Sequence, residues 1–243
     1  MTKATFGIIG YGRFGKLWGH ALSPFGDVLV YEKNGCTEIE APLRSCSLDE
    51  VTQCDMVFIL APISEFESLC QQIKDKLNPH SLLVDCCSVK IHPVKIMKEC
   101  FPSTQPIIGT HPLFGPDSVN KTGTLGGHKI VLCPIQNFTE KLPELENILQ
   151  KLHLHICTST PEEHDKQMAS SQSLVHFIGR GLAALDLKPQ ELSTPDFQAL
   201  LNINQMVVHD TWQLFLDMHK YNPYAKQVRK KFVDQLLKLE EII

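Results

Sequence analysis

The sequence lacks the features that would assign it to a membrane, a secreted or a nucleic-acid-binding class. No uninterrupted apolar run reaches the roughly 18 residues of a membrane-spanning helix, and the N-terminal segment has no long apolar core of a signal peptide. The 23 Lys and Arg residues nearly balance the 27 Asp and Glu residues, for a formal net charge of -4. A nucleic acid or an anionic membrane is therefore not expected as a partner, and we expect a cytoplasmic protein with a small-molecule ligand.

The cysteines also lack the patterns of a disulfide framework or a metal site. Their number is nine, which is odd, and no two form a C-x-x-C pair. Cys54, Cys86 and Cys133 lie within or beside apolar strand-like runs, where cysteine acts as a small hydrophobic residue. This pattern favours reduced cysteines in an intracellular protein. The histidines show no H-E-x-x-H or comparable spacing, so no metal site is predicted.

Short apolar runs alternate with amphipathic segments from residue 5 to about residue 155. Such alternation is typical of parallel strands joined by helices that cover both faces of a sheet. Beyond Thr160 the strand-like runs stop and the spacing becomes helical. A chain of 243 residues can form a larger and a smaller domain. We predict an α/β domain with a mostly parallel sheet over residues 1–158 and an all-helical domain over residues 159–243.

Three glycines follow the first predicted strand in the spacing of a dinucleotide-binding turn. The stretch "GIIGYGRFG" places Gly10, Gly12 and Gly15 in G-x-G-x-x-G order at the start of a helix. Such glycines permit a tight turn, a close approach of the backbone to a pyrophosphate and close helix packing. Glu32 follows about 20 residues later, where a carboxylate can bind the ribose hydroxyls of NAD. The first domain is therefore predicted to be Rossmann-type and to bind NAD or NADP, with NAD favoured by Glu32.

The carboxyl ends of the other predicted strands indicate further site residues, because ligands of an open parallel sheet bind beyond these ends. The ends are the segments 60–63, 85–90 and 109–115. Lys33 and Arg13 lie close enough to the glycine turn to oppose the preference for NAD. The predicted cofactor-binding residues are Gly10, Tyr11, Gly12, Arg13, Phe14, Gly15, Glu32, Ala61 and Pro62.

His111 and Ser88 are the predicted catalytic residues. Residues 107–108 are interpreted as the end of a buried strand, and Pro112 forces His111 into an extended conformation. A neutral imidazole beside a nicotinamide can accept the proton of a substrate hydroxyl as hydride leaves, and a serine hydroxyl can align that substrate. The alternatives are a loop residue for His111 and a turn or cap residue for Ser88. Lys90 is interpreted as a solvated charge.

The helical domain contributes a narrow stripe of residues at helical spacing, formed by Asp165, Ala169, Gln172 and His176. Polar groups among small residues favour contact with a polar ligand or with the sheet edge. For Gln172 and His176, a hydrogen bond between the domains is the alternative.

Residues 195–219 are apolar nearly all round, which predicts a single helix buried on most sides. A domain of this size cannot cover such a helix, so we expect a homodimer through the helical domain. Asn222 as N-cap and Pro223 as first helical residue are predicted to begin a last amphipathic helix. Asp210 lies within the apolar segment, where a charge needs a partner. That partner is a lysine or the second subunit in one interpretation, and a charged ligand in the other.

The chain resembles the prephenate/arogenate dehydrogenase family of tyrosine biosynthesis, and most closely its plant-type arogenate branch. The segments "GIIGYGRFG", "DCCSVK", "GTHPLFGPDS" and "EEHDKQMASSQSLVHFIGR" carry the resemblance. It implies oxidative decarboxylation of a cyclohexadienol, in which hydride passes to NAD(P)+, the proton passes to His111, and the ring carboxylate leaves as CO2. It also implies that Ser88 lies near the substrate hydroxyl and that the helical domain forms a dimer. The predicted substrate-binding residues are Thr110, Gln172, His176 and Asp210.

The resemblance also bears on substrate choice. Asp210 in "HDTW" matches an acidic residue in arogenate enzymes, whereas a prephenate-preferring relative has asparagine, so arogenate is favoured over prephenate. Bacterial prephenate dehydrogenases bind a substrate carboxylate with an arginine in the helix that corresponds to residues 197–204, and "FQALLNIN" has none. Arg180, Arg229 or a residue of the second subunit are the candidates to replace it.

Two other functions remain open at this point. A reductase of the hydroxyacid-dehydrogenase or pyrroline-carboxylate type shares the nucleotide fold, but such enzymes lack a "THPLFGP" histidine at the sheet edge. A non-catalytic nucleotide-sensing module is the second alternative, because a fold alone does not establish catalysis.

Overall fold

A computed structural model describes residues 3–35, 38–138 and 140–243 of the chain. It divides the chain into two units, Met1–Pro161 and Glu162–Ile243. Cys36 lies outside the described residues, and the eight described cysteines are free thiols.

The first unit is built around one sheet, in which the described residues form eight strands in the order β3-β2-β1-β4-β5-β6-β7-β8. The strands are β1 Ala4–Ile9, β2 Gly26–Tyr31, β3 Arg44–Ser45, β4 Met56–Ile59, β5 Leu82–Asp85, β6 Ile107–Pro112, β7 Lys129–Gln136 and β8 His155–Thr158. Neighbouring strands pair in parallel except for β6 and β7, which are antiparallel. This confirms the predicted Rossmann-type fold with a mostly parallel sheet.

Helices connect the strands and cover the sheet. Those of the first unit are α1 Arg13–Leu22, α2 Leu48–Val51, α3 Phe66–Ile73, α4 Ile91–Cys100, α5 Pro116–Thr122 and α6 Leu142–Lys151, with a 3-10 turn at Ile63–Glu65. The central strands β4 and β5 are buried along their whole length, as continuous apolar strands of a parallel sheet usually are.

The order of the strands reverses between β1 and β4. The chain proceeds from β1 to β2 and β3 on one side, and then crosses back to β4 on the other side. In sheets of this kind, ligands bind beyond the carboxyl ends of the strands at the reversal. Because β5 and β6 run parallel to β4, their carboxyl ends lie along the same edge of the sheet.

The start of β6 differs from the prediction. Residues 107–108 begin this strand rather than end it, and the strand continues through His111 to Pro112. Antiparallel pairing with β7, in which His111 lies opposite Val131, extends the strand beyond the apolar pair.

The second unit is helical, as predicted. Its helices are α7 Pro161–Met168, α8 Leu174–Ala184, α9 Pro195–Val208, α10 Trp212–Tyr221 and α11 Ala225–Glu240, and a π-helical turn at Ala169–Ser173 joins α7 to α8. Within the described part of the chain, no helix has the length and apolar character needed to cross a membrane.

The single helix predicted over residues 195–219 is wrong. The segment forms two helices, because Thr211 adopts an extended backbone conformation and its hydroxyl accepts a hydrogen bond from the Leu214 amide at 3.1 Å. This N-cap starts α10 afresh. Asp210 therefore lies in the turn between α9 and α10, not within an apolar helix.

The start of the last helix also differs from the prediction. Helix α11 begins at Ala225 rather than at Pro223. Asn222 is buried, and its side-chain oxygen accepts a hydrogen bond from the Tyr224 amide at 2.9 Å. Its side-chain nitrogen donates to the Asp165 carbonyl at 2.8 Å, so Asn222 organises the turn before the helix.

Candidate cofactor and active site

The three glycines of the turn after β1 have different environments. Gly10 has a φ of +106°, and a Cβ there would lie 2.9 Å from the Leu60 carbonyl oxygen. A Cβ at Gly15 would lie 2.1 Å from the Gly10 carbonyl oxygen. At Gly12, the N-cap of α1, a Cβ would meet nothing within 4 Å. Gly10 and Gly15 are thus required by the fold, whereas Gly12 leaves the N-terminus of α1 open for a phosphate group.

Glu32 lies beside this turn, at the end of β2. Its carboxylate accepts a hydrogen bond from the Tyr11 amide at 2.7 Å, and the Gly10 amide donates to the Tyr31 carbonyl at 2.9 Å. These bonds hold the ends of β1 and β2 together. A carboxylate has further acceptor capacity, so Glu32 can bind a ribose hydroxyl while it holds Tyr11. With the open helix N-terminus, this arrangement fits a dinucleotide.

The two cations near the turn are paired with carboxylates. Arg13 lies 2.6 Å from the Asp117 carboxylate, and the Lys33 ammonium lies 3.3 Å from that of Glu65. All four side chains are substantially exposed, so these pairs are weak.

The remaining predicted cofactor residues surround the glycine turn. Tyr11 is buried, and its hydroxyl accepts a hydrogen bond from the Glu40 amide at 3.3 Å. The ring of Phe14 stacks on that of Trp18, with centroids 5.8 Å apart. Ala61, half-buried, and Pro62, exposed, follow β4.

Ser88 and His111 come from neighbouring elements at the carboxyl edge of the sheet. Ser88 is half-buried in the loop between β5 and α4, and His111, which is only 3% exposed, is the fifth residue of β6. Strands β5 and β6 are adjacent and parallel, with Asp85 opposite Gly109. The structure thus brings both residues to one edge, where their catalytic roles stay a prediction.

Lys90 is not the solvated charge that the sequence suggested. Its side chain is completely buried, and its ammonium lies 2.5 and 2.6 Å from the two carboxylate oxygens of Asp85 and 2.5 Å from the Thr110 carbonyl oxygen. Burial alone lowers the pKa of Lys90, but the Asp85 carboxylate outweighs it, and the pKa lies above its usual value. The missed signal is Asp85 itself, because a carboxylate that ends a buried apolar strand requires a nearby cation.

Thr110 belongs to the same cluster. Its hydroxyl donates a hydrogen bond to the Asp85 carbonyl at 2.8 Å and lies 3.3 Å from the Cys86 sulfur. Burial raises the pKa of the Cys86 thiol to about 12, so this cysteine stays neutral at physiological pH. Among the residues that the structure describes, no group of three or more His, Cys, Asp or Glu side chains could hold a metal ion.

The second unit brings His176 and Asp210 together. His176 is 8% exposed, and its Nε2 lies 3.7 Å from the Asp210 carboxylate. Burial lowers the pKa of His176, and the nearby carboxylate opposes that shift. Arg180 donates to the backbone carbonyl of Asp210, and its guanidinium lies 5.3 Å from the centre of the Trp212 ring. Gln172 is half-buried within the π-helical turn.

Arg229 has different partners from Arg180. It lies 2.9 Å from Nδ1 of His219 and stacks over Phe177 at 5.8 Å. Within the described residues, Nδ1 of His176, Nε of Arg180 and Nε2 of His219 are buried without a hydrogen-bond partner. Buried polar groups normally have partners, so these three atoms are exceptions within the second unit.

Comparison with known proteins identifies the family. Residues 37–158 match the model of the prephenate dehydrogenase nucleotide-binding domain, and residues 181–242 match the TYRAAT1-like C-terminal domain. The chain belongs to the prephenate dehydrogenase family. This confirms the family predicted from the sequence motifs.

Relatives of this family include an archaeal and a plant protein. A protein of Methanocaldococcus jannaschii, named "Probable arogenate/prephenate dehydrogenase", is 26% identical over 259 residues, which cover 100% of this chain and 57% of the relative. Arogenate dehydrogenase 1, chloroplastic, of Arabidopsis thaliana is 24% identical over 242 residues, which cover 95% of this chain and 38% of the relative. The chain thus spans about half the length of these relatives. Its similarity to the Arabidopsis protein supports the predicted resemblance to the plant-type branch.

The fold matches that of a solved family member. The prephenate dehydrogenase of A. aeolicus, in complex with hydroxyphenyl propionate and NAD+, has a TM-score of 0.75 at 17% sequence identity. The match covers 100% of this chain and 91% of that one. At this identity the likeness establishes the fold.

Proposed function

We propose that this prephenate dehydrogenase family member catalyses the NAD(P)-dependent oxidative decarboxylation of arogenate to tyrosine. The observation that carries the proposal is the shared edge of the sheet, where the open N-terminus of α1 at Gly12 and the buried His111 of β6 both lie. Prephenate, which would give 4-hydroxyphenylpyruvate, is the second candidate substrate.

His111 accepts the proton of the substrate hydroxyl in this proposal, and the Ser88 hydroxyl orients that group. The bound nicotinamide supplies the hydride acceptor. Loss of the ring carboxylate as CO2 then leaves an aromatic ring, which makes the overall step strongly favourable. The chain's task is therefore to position the substrate and to hold one proton.

NAD is the proposed cofactor. The Glu32 carboxylate lies where it would bind ribose hydroxyls and repel a 2′-phosphate. Arg13 and Lys33, the cations that could offset this repulsion, form only weak, exposed pairs with carboxylates, so the proposal rests on Glu32. We expect a higher kcat/KM with NAD+ than with NADP+, and a preference for NADP+ would contradict this assignment.

Asp210 is proposed to bind the ammonium group that distinguishes arogenate from prephenate. It lies in a turn, is partly exposed, and contacts His176. Arg180, whose Nε is buried without a partner, is the proposed cation for the side-chain carboxylate. His176, Gln172 and Thr110 are the other proposed substrate-binding residues.

A homodimer through the second unit is proposed as the assembly. The side chains of α11 include several exposed apolar residues, and Trp212 of α10 is also exposed. A second copy of the chain is the proposed cover for these side chains.

The test is a spectrophotometric assay of NADH or NADPH formation with arogenate and prephenate side by side, for the wild type and for His111→Asn. We expect the variant to bind the cofactor with unchanged affinity and its turnover to fall by about 100-fold or more, because it lacks the proton acceptor. Wild-type turnover in the variant would remove His111 from the mechanism. Cofactor binding without turnover of either substrate would favour a nucleotide-sensing module.

A further inference from the structure

The buried Lys90 ammonium joins two strands next to the proposed base. It binds the Asp85 carboxylate at the end of β5 and the Thr110 carbonyl in β6. The pairing of β5 with β6 ends at Asp85 and Gly109, so Thr110 lies just beyond the last paired residue. Lys90 thus supplies a donor to a strand carbonyl where the neighbouring strand no longer pairs with it.

Stability alone does not explain a buried ion pair at this place. The cost of removing two charges from water often equals or exceeds their attraction, and apolar replacements of both partners are often neutral or stabilising. Gly109 is matched to this arrangement, since a Cβ there would lie 3.1 Å from the Asp85 carboxylate. What the pair adds is a defined geometry for the end of β6.

The position of the Thr110 carbonyl bears directly on His111. A peptide unit is planar, so the carbonyl of Thr110 and the amide nitrogen of His111 lie in one plane. Fixing the carbonyl oxygen therefore fixes the peptide plane that contains the Cα of His111, from which the side chain projects. The Thr110 hydroxyl, which donates to the Asp85 carbonyl, anchors the same residue a second time.

We propose that Lys90 is a positioning residue for His111, which it orients by holding the peptide unit of residues 110–111 against Asp85. The inference rests on the proposed function, in which His111 accepts the substrate proton. Lys90 itself touches neither substrate nor cofactor in this proposal.

The test separates positioning from folding by comparing four variants. Lys90→Met leaves Asp85 without its cation and is expected to lower the melting temperature. The double variant Asp85→Asn/Lys90→Met removes both charges and keeps an acceptor for the Cys87 amide, which now donates to Asp85 at 2.8 Å, so its melting temperature is expected to recover. Asp85→Asn alone keeps the Lys90 donor to Thr110. Lys95→Met, at an exposed position of α4, is the matched control.

A positioning role predicts that the double variant recovers its melting temperature without recovering its kcat. In the double variant, kcat is expected to stay about tenfold or more below the wild type, because small misplacements of a catalytic group are costly. The KM and cofactor affinity of the double variant are expected to stay near those of the wild type. We expect Asp85→Asn to lose less kcat than the double variant. Lys95→Met is expected to keep the wild-type kcat. Full kcat in the double variant would overturn the proposal.

A second measurement does not depend on turnover. The ring signal of His111 in the nitrogen-15 NMR spectrum can be assigned by its loss in His111→Asn. We expect this signal to shift or broaden in the double variant and to stay in place in Lys95→Met. An unchanged signal in the double variant would refute the positioning role of Lys90. If the wild-type protein turned over neither substrate, that result would refute the proposed function alone.

Discussion

Single glycines of the turn after β1 separate a binding role from a folding role. Gly12→Ala adds a methyl group into open space, whereas Gly15→Ala places one 2.1 Å from the Gly10 carbonyl oxygen. We expect Gly12→Ala to keep the wild-type melting temperature. Its Kd for the cofactor is expected to rise by about tenfold or more, and a tenfold rise corresponds to roughly 1.4 kcal/mol of binding free energy. Gly15→Ala is expected to lose about 1–3 kcal/mol of stability through overpacking. Thermal unfolding and a fluorescence titration with NAD+ measure both, and unchanged affinity in Gly12→Ala would contradict the phosphate assignment.

Asp210 is the residue on which substrate choice is expected to depend. Asp210→Asn removes the charge that we propose attracts the arogenate ammonium, so the ratio of kcat/KM for arogenate to that for prephenate should fall by about tenfold. Asp186→Asn, at an exposed site in the same unit, is the control. Assays with both substrates decide the matter, and an unchanged ratio would make Asp210 a structural partner of His176.

At this scale, the sequence was informative where backbone geometry constrains the residue type. The spacing of Gly10 and Gly15 predicted contacts that the structure contains. Asp85 indicated that a buried cation is needed, but only the fold shows that the loop after β5 turns back and places Lys90 beside it. Asp210 was assigned to a helix because the polar capping role of Thr211 was not recognised within an apolar segment.

The ring of His219 in α10 contacts Phe177 of α8 and Arg229 of α11. Burial and the nearby Arg229 lower the pKa of His219 from 6.5 to about 4, and His176 acts in the same direction. Between these two values the unfolded chain binds the proton and the folded chain does not, so the free energy of unfolding should fall as the pH falls from 6.5 towards 4.

Urea unfolding at a series of pH values checks this prediction. His219→Asn removes the titrating ring, so the decline in stability with falling pH should become shallower, with His176 still contributing. His80→Asn, at an exposed site, should retain the wild-type slope. Equal slopes in wild type and His219→Asn would show that the acid sensitivity has another origin.

Elements with strong periodicity were predicted well, and their boundaries depended on local hydrogen bonds. The helical spacing predicted beyond Thr160 corresponds to helices α7 to α11. The antiparallel direction of β7 was not predicted, since a short apolar run looks the same in either direction. The start of α11 depends on the side chain of Asn222, which bonds to the Tyr224 amide and to the Asp165 carbonyl of α7. The bond to α7 is long-range, so the local sequence does not indicate it.

At the scale of the whole molecule, the exposed apolar side chains predict self-association. Leu236 and Leu237 of α11 are about half exposed, and covering such side chains is favourable. Light scattering at micromolar concentration should give the mass of a dimer, and Leu236→Glu/Leu237→Glu should give a monomer. Lys231→Ala, on another side of the helix, should stay dimeric. A monomeric wild type would mean that a different partner or segment covers these residues.

The strand order was the part of the architecture that the sequence left undetermined. Alternating strands and helices predicted a parallel sheet, but many orders satisfy that pattern. The reversal between β1 and β4 requires long-range pairing that no local motif encodes, and it decides which strand ends become neighbours.

The π-helical turn at Ala169–Ser173 fixes where the second unit can change its length without changing its geometry. A turn of this kind holds one residue more than an α-helical turn. Loss of one residue there would restore a continuous α-helix, and the residues beyond it would keep their angular position. Loss of a residue from a regular α-helix would instead rotate everything beyond it by about 100°. The turn is thus the place where the chain could lose one residue without re-aiming His176, which lies just after it.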